Sequence, residues 1–110
     1  MLPSELVNLV QEVVGRRCER QNIELKRASQ GTPERLYDTL SSFSNQVGGG
    51  IILFGIDEKN DFQITGVYDA QDLQTKVTNQ SLQMEPVVRP VFTVAEVEGH
   101  TIVSAEISEC

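Results

Sequence analysis

The stretch Ser44-Asn45-Gln46-Val47-Gly48-Gly49-Gly50-Ile51-Ile52-Leu53-Phe54-Gly55-Ile56-Asp57, SNQVGGGIILFGID, joins three adjacent glycines to a run of large apolar residues. Phosphate-cradling glycine turns run strand, turn, helix, because the phosphate must meet the free N–H groups of a helix N-terminus. Here the order is reversed. Leu36, Leu40, Phe43 and Val47 mark one face of a helix opened by Thr32-Pro33, and Ile51 to Ile56 is the continuous apolar run of a central strand covered on both faces. The glycines thus follow a helix C-terminus, where orphan carbonyls and the negative dipole end repel phosphate. No Gly-Lys-Ser/Thr follows them. The pattern disfavours ATP binding. Gly48 or Gly49 is expected to be the left-handed residue of a helix C-cap, with Gly50 helping the chain reverse into the strand and Asn45 satisfying the last helical carbonyls.

Working outward, Leu6, Leu9, Val10 and Val13 recur at helical spacing over 4–14, with Pro3 and Ser4 at the start and Gly15 placed to close the end. Residues 22–28 alternate Ile23 and Leu25 against Glu24 and Lys26, a half-buried strand that projects Glu24 and Lys26 from one face. Lys59-Asn60-Asp61 is a turn into Phe62 to Val67, so the central strand and this one are expected to form a hairpin. Asp69 and Asp72 open a third helix with Leu73, Val77 and Met84 on its face, ending before Pro86. Two β-branched runs, 91–97 and 101–107, meet at Glu98-Gly99 as a second hairpin. The order α-β-α-β-β-α-β-β predicts one α+β domain with a mixed sheet of about five strands and three helices. The chain stops soon after its last strand, which suggests the N-terminal part of a longer protein.

The 110 residues fit one domain, 39% hydrophobic without Trp. No apolar run approaches the ~20 residues of a membrane span, and no secretory signal is visible, so a cytoplasmic location without membrane contact is the expectation. Cys18 and Cys110 have no metal-ligand spacing. The net charge of −7 argues against indiscriminate nucleic-acid binding. Its distribution is uneven: residues 1–36 hold six of the nine basic residues, including Arg16, Arg17, Arg20, Lys26 and Arg27. A local cationic face on an acidic body is one reading and a solvated surface the other.

Glu24-Leu25-Lys26, the helix ending Ser42-Phe43-Ser44-Asn45, Gly48-Gly49-Gly50, Gly55-Ile56-Asp57 and Gly66-Val67 together resemble the Schlafen AlbA-type domain over about residues 5–107. The departures are mild: Leu25 for a usual Phe, Ser42 and Ser44 for alanines, Gln46 for Thr, and Asn60-Asp61 for a frequent Asp-Gly. The resemblance implies an α+β fold and a DNA-binding module at the N-terminus of bacterial transcriptional regulators or helicase-related proteins. Some members were once described as divergent AAA ATP-binding domains, which the polarity of the glycine turn contradicts.

In related nuclease members the resemblance implies an acidic site, and residue by residue its positions fall on Glu19, Glu24 and Asp57, with Lys26 beside Glu24. Such carboxylates suit Mg2+ or Mn2+ in phosphodiester cleavage. The binding alternative needs no cofactor and takes Arg16, Arg17, Arg20, Lys26, Arg27 and Arg35, with Arg89 as a further candidate, as contacts to DNA or RNA phosphate. Ordinary structural roles compete for each residue: Glu24 with Lys26 as a strand pair, Asp57 as a turn cap. Tyr37, Phe43, Phe54 and Phe62 read as core, with Tyr68 the one surface aromatic. A protein-interaction or self-associating module, and contact with a C-terminal domain of the same polypeptide, remain open alternatives.

Overall fold

The strand that follows the three glycines, β2 (Gly50–Phe54), is the interior strand on which the architecture rests. The computed structural model describes residues 1–17 and 22–109. Before β2 come α1 (Pro3–Arg16), β1 (Ile23–Lys26) and α2 (Tyr37–Ser44); after it come β3 (Ile56–Asp57), a 3-10 turn (Glu58–Asn60), β4 (Gln63–Ile64), α3 (Ala70–Leu82), β5 (Val91–Val97) and β6 (His100–Ile107). The fold is α+β, and its six strands divide into a four-stranded mixed sheet, β1-β2-β6-β5, and a two-stranded sheet, β3-β4.

β1 runs parallel to β2, with Glu24 beside Ile52 and Lys26 beside Phe54. A parallel neighbour requires a crossover, and α2 lies in it. β6 is antiparallel to both β2 and β5. The sheet is covered on both faces, which is why β2 is apolar at every position after Gly50. Ile52, Phe54, Val103 and Ala105 join Leu40 and Phe43 of α2 and Leu73 and Val77 of α3 in one core. Leu53, Ala95 and Ile102 join Leu6, Val10 and Val13 of α1 in the other. Leu6, Leu40, Ile52, Leu53 and Phe54 are fully buried, each contributing roughly 1.5–3 kcal/mol.

The glycine turn behaves as a reversal, with one correction. α2 ends at Ser44 and its C-cap is Asn45 in a right-handed conformation, so neither Gly48 nor Gly49 caps it. Asn45 Nδ2 donates to the Ser41 carbonyl at 2.9 Å, as the sequence suggested. The left-handed glycines act further on: the Gly49 N–H donates to the Gln46 carbonyl, closing a turn that delivers Gly50 to the sheet. A Cβ on Gly49 would lie 1.9 Å from the Ile107 carbonyl oxygen, and one on Gly50 would enter the Phe43 ring. Close packing between strand start, β6 and α2 therefore demands glycine.

Other boundaries also shift. α1 runs past Gly15 to Arg16, and Arg17 (φ 52°) takes the left-handed cap, its N–H bonded to the Val13 carbonyl. α2 starts at Tyr37 rather than at Thr32-Pro33, because the Gln80 amide of α3 accepts from the Leu36 N–H and donates to the Pro33 carbonyl, tying down the preceding segment. Tyr37 is 64% exposed, not core. The hairpin expected between the central strand and 62–67 forms only from the two-residue β3 and β4. Gly55, at φ 116°, breaks the strand before it, and its N–H donates to the Lys26 carbonyl while its own carbonyl accepts from Thr65 and Gly66.

Candidate functional site

β1 is the outer strand of the four-stranded sheet, and its alternation sorts four residues by chemistry. Ile23 and Leu25 are buried beneath α1, whereas Glu24 and Lys26 are half-buried on the opposite face. The break at Gly55 turns the chain across this edge, and a cleft of about 460 Å³ opens there, lined by Glu24, Leu25, Lys26, Arg27, Ile56, Asp57, Glu58 and Lys59. Glu24 and Asp57, assigned by resemblance to one acidic site, thus share a cleft with Lys26. Arg27 and Lys59 add two further cations, Lys59 one that the sequence reading did not single out.

Among the described residues none of these charged side chains is engaged in an ion pair or side-chain hydrogen bond, so Glu24 and Lys26 do not neutralise each other. Asp57 precedes the 3-10 turn in an extended conformation and makes no side-chain cap bond. Its carboxylate is free for other work. A wall carrying three cations and three carboxylates is suited to a ligand of mixed charge or to an anion bridged by a metal ion.

The remaining candidates scatter. Arg16 ends α1 on the surface. Arg17 pairs with Asp61 at 3.3 Å, both well exposed, which links the end of α1 to the turn beyond the cleft. Glu19 and Arg20 lie outside the described residues. Arg35 lines a different cleft with Tyr37 and Gln83, and the exposed Arg89 precedes β5. Gly48, Gly49, Gly55 and Gly66 have positive φ, and Gly50 packs against the Phe43 ring. Among the described residues no three His, Cys, Asp or Glu side chains come together to hold a metal ion.

A polar chain that sequence reasoning missed runs from Thr32 through Tyr68 to α3. The Thr32 and Tyr68 hydroxyls are hydrogen-bonded at 2.8 Å, the Tyr68 hydroxyl donates to Asp72, and Lys76 Nζ pairs with Asp72 at 3.0 Å. The tyrosine hydrogen bond, and then the Lys76 ammonium, hold the Asp72 carboxyl below its usual range; Asp72 in turn raises Lys76. The one local signal was the four-residue spacing of Asp72 and Lys76. Tyr68 is therefore a half-buried anchor of the crossover between β1 and β2.

No helix among the described residues is long and apolar enough to cross a membrane. Comparison with curated proteins gives no match. Among solved structures, the chain is similar to the N-terminal domain of a RecG-related protein from Nitrosomonas europaea, named after an ATP-dependent DNA helicase, with a TM-score of 0.77 and 25% identity over 94% of this chain and 72% of that one. It shares its fold with the DIP2311 protein of Corynebacterium diphtheriae, at a TM-score of 0.56 and 17% identity over 97% of this chain, and spans 26% of that longer protein. The family model described as Schlafen, AlbA_2 matches residues 19–110, taking in β1, the glycine turn, the cleft and the final hairpin. The chain belongs to the Schlafen AlbA_2 family.

Proposed function

We propose that the domain binds nucleic acid at the β1 edge, as one module of a longer regulatory or helicase-related polypeptide. The observation that carries this reading is the grouping of Lys26, Arg27 and Lys59 in one cleft without ion-pair partners among the described residues. Cations already paired to carboxylates gain little from phosphate, whereas unpaired ones release counterions on binding. Because phosphate contacts position a protein without reading bases, the module is expected to discriminate weakly among sequences. The name of the RecG-related relative fits the same chemistry.

Fluorescence anisotropy with duplex DNA and with single-stranded RNA tests it. Three phosphate contacts predict a log–log salt slope of about −3 on duplex, and the Lys26→Gln, Arg27→Gln, Lys59→Gln triple variant should lose at least tenfold in affinity. No binding at low salt, or undiminished binding by the triple variant, overturns the proposal.

A second reading has its own observation: Glu24 and Asp57 line the same cleft as Lys26. A Mg2+ or Mn2+ ion held by those carboxylates would supply the Lewis acidity that phosphodiester hydrolysis needs. The described residues offer two of its three proposed donors, the third being Glu19. Cleavage of RNA or single-stranded DNA with Mn2+, abolished by Glu24→Gln while anisotropy persists, would establish it; equal cleavage by both proteins would remove it.

A further inference from the structure

β5 is the other outer strand of the sheet, and among the described residues no second strand pairs with its free side. Natural sheets blunt such edges with charged side chains, lysine above all, with proline or with a bulge. Val91–Val97 holds no lysine, proline or bulge and the single charge of Glu96, and its seven residues pair with β6 in unbroken register. Two of the seven large apolar residues exposed among the described residues, Val91 and Val94, lie on this strand, on its two opposite faces.

The hairpin geometry fixes which backbone groups face outward. Glu98 and Gly99 both have positive φ (52° and 79°), the signature of a two-residue I′ turn, and Val97 faces His100 across it. That closing pair exchanges hydrogen bonds, so alternate residues back along β5 direct theirs to β6 and the intervening ones do not. Phe92, Val94 and Glu96 therefore point their N–H and C=O groups to the open side.

We propose that this edge pairs with the β5 edge of a second copy of the chain about a two-fold axis at Val94, joining two four-stranded sheets into one of eight strands. The edge is self-complementary. An antiparallel pairing centred on Val94 sets Val94 against its own copy and Phe92 against Glu96, in both directions, with about six backbone hydrogen bonds. Glu96 is the only charge on β5 and never meets itself. Nucleic acid is a poor occupant, because no cation lies within the strand. In the joined sheet the two β1 edges stand seven strand spacings apart, on the order of 34 Å, which matches about one turn of duplex DNA. That last consequence rests on the nucleic-acid reading; the dimer does not.

Sedimentation equilibrium of the protein alone, with backbone amide exchange at several concentrations, tests the proposal. A reversible monomer–dimer equilibrium is expected, strengthened by salt because two copies of net charge −7 repel, the opposite of the salt response of nucleic-acid binding. Exchange at Phe92, Val94 and Glu96 should slow as concentration rises while α1 amides are unaffected. Val94→Lys should sediment as a monomer at every concentration. A parent protein monomeric into the millimolar range, a dimer that survives Val94→Lys, or concentration-independent exchange at Val94 overturns the inference. The exchange experiment needs only the parent protein, so it decides the matter even if the lysine variant fails to fold.

Discussion

The two outer strands of the four-stranded sheet are opposites. β1 carries Glu24 and Lys26, lies against a cleft with four further charges, and is crossed by the chain turning at Gly55. Apart from Thr93 and Glu96, β5 is apolar, and among the described residues no strand pairs with its outer side. They also reach their places differently. β5 is set beside β6 by a two-residue turn, whereas β1 is joined to β2 by a crossover of more than twenty residues anchored to α3 through Gln80 and Tyr68. Loop closure makes the second arrangement the more dependent on distant contacts. A charged cleft thus sits on the edge held by tertiary anchors, and a pairing edge on the strand held locally.

The largest expected effect attacks what both edges share, the placement of β2. Gly49→Ala must adopt left-handed backbone and drive its methyl into the Ile107 carbonyl, so a loss of about 3 kcal/mol or more is expected from chemical denaturation. Gly48→Ala has open space around its Cβ and bears only the conformational term, about 1 kcal/mol. Equal losses at the two positions would show that the tight approach to β6 is not what requires glycine.

That contrast also explains how much the sequence made legible. The β5–β6 hairpin and the apolar faces of the helices rest on local alternation and turn chemistry, and both are readable in the chain. Glu24, Lys26 and Asp57 stood out through motif resemblance and strand alternation, but that Lys59 joins them depends on the chain turning at Gly55, a packing event against Ile102 and Gly66 that no local pattern announces. The start of α2 escapes the local pattern for a similar reason. Gln80, forty-four residues from Leu36, supplies the hydrogen bonds that hold 33–36 out of the helix. Tyr37 then begins α2 at the surface instead of entering the core.

A smaller effect isolates the tertiary anchor. Gln80→Ala leaves the Leu36 N–H and the Pro33 carbonyl without their partner, and a loss of about 1–2 kcal/mol is expected. Amide exchange gives the sharper readout: protection should fall in β1 and at the start of α2 and stay unchanged in the β5–β6 hairpin. Uniform loss across both edges would deny that they are held independently.

The Tyr68 anchor carries a pH signature. Because the Asp72 pKa is depressed in the folded protein, chiefly by the Tyr68 hydrogen bond and then by Lys76, its contribution is complete above the ordinary carboxylate pKa and fades as pH falls through the folded value. Asp72→Asn should therefore melt below the parent at neutral pH, and the two melting temperatures should converge under acid conditions. A gap that persists at low pH would mean that the carboxylate charge is irrelevant to the anchor.

The smallest effect comes from Arg17, where two weak terms oppose. Its ion pair with Asp61 is exposed at both ends and is worth about 0–1 kcal/mol. Its left-handed cap conformation costs a non-glycine residue roughly 1–2 kcal/mol. Arg17→Gly deletes the first and relieves the second, at the expense of about 0.4–1 kcal/mol of added freedom in the unfolded chain. The glycine variant should thus match the parent within about 0.5 kcal/mol, while Arg17→Ala, which loses the pair and keeps the strain, should fall below both. Because Arg17 is already paired to Asp61, Arg17→Gly should leave the salt slope of duplex binding and the β5 association unchanged. A variant that weakened the dimer instead would place Arg17 in the behaviour of the wrong edge and would undo the separation between the two.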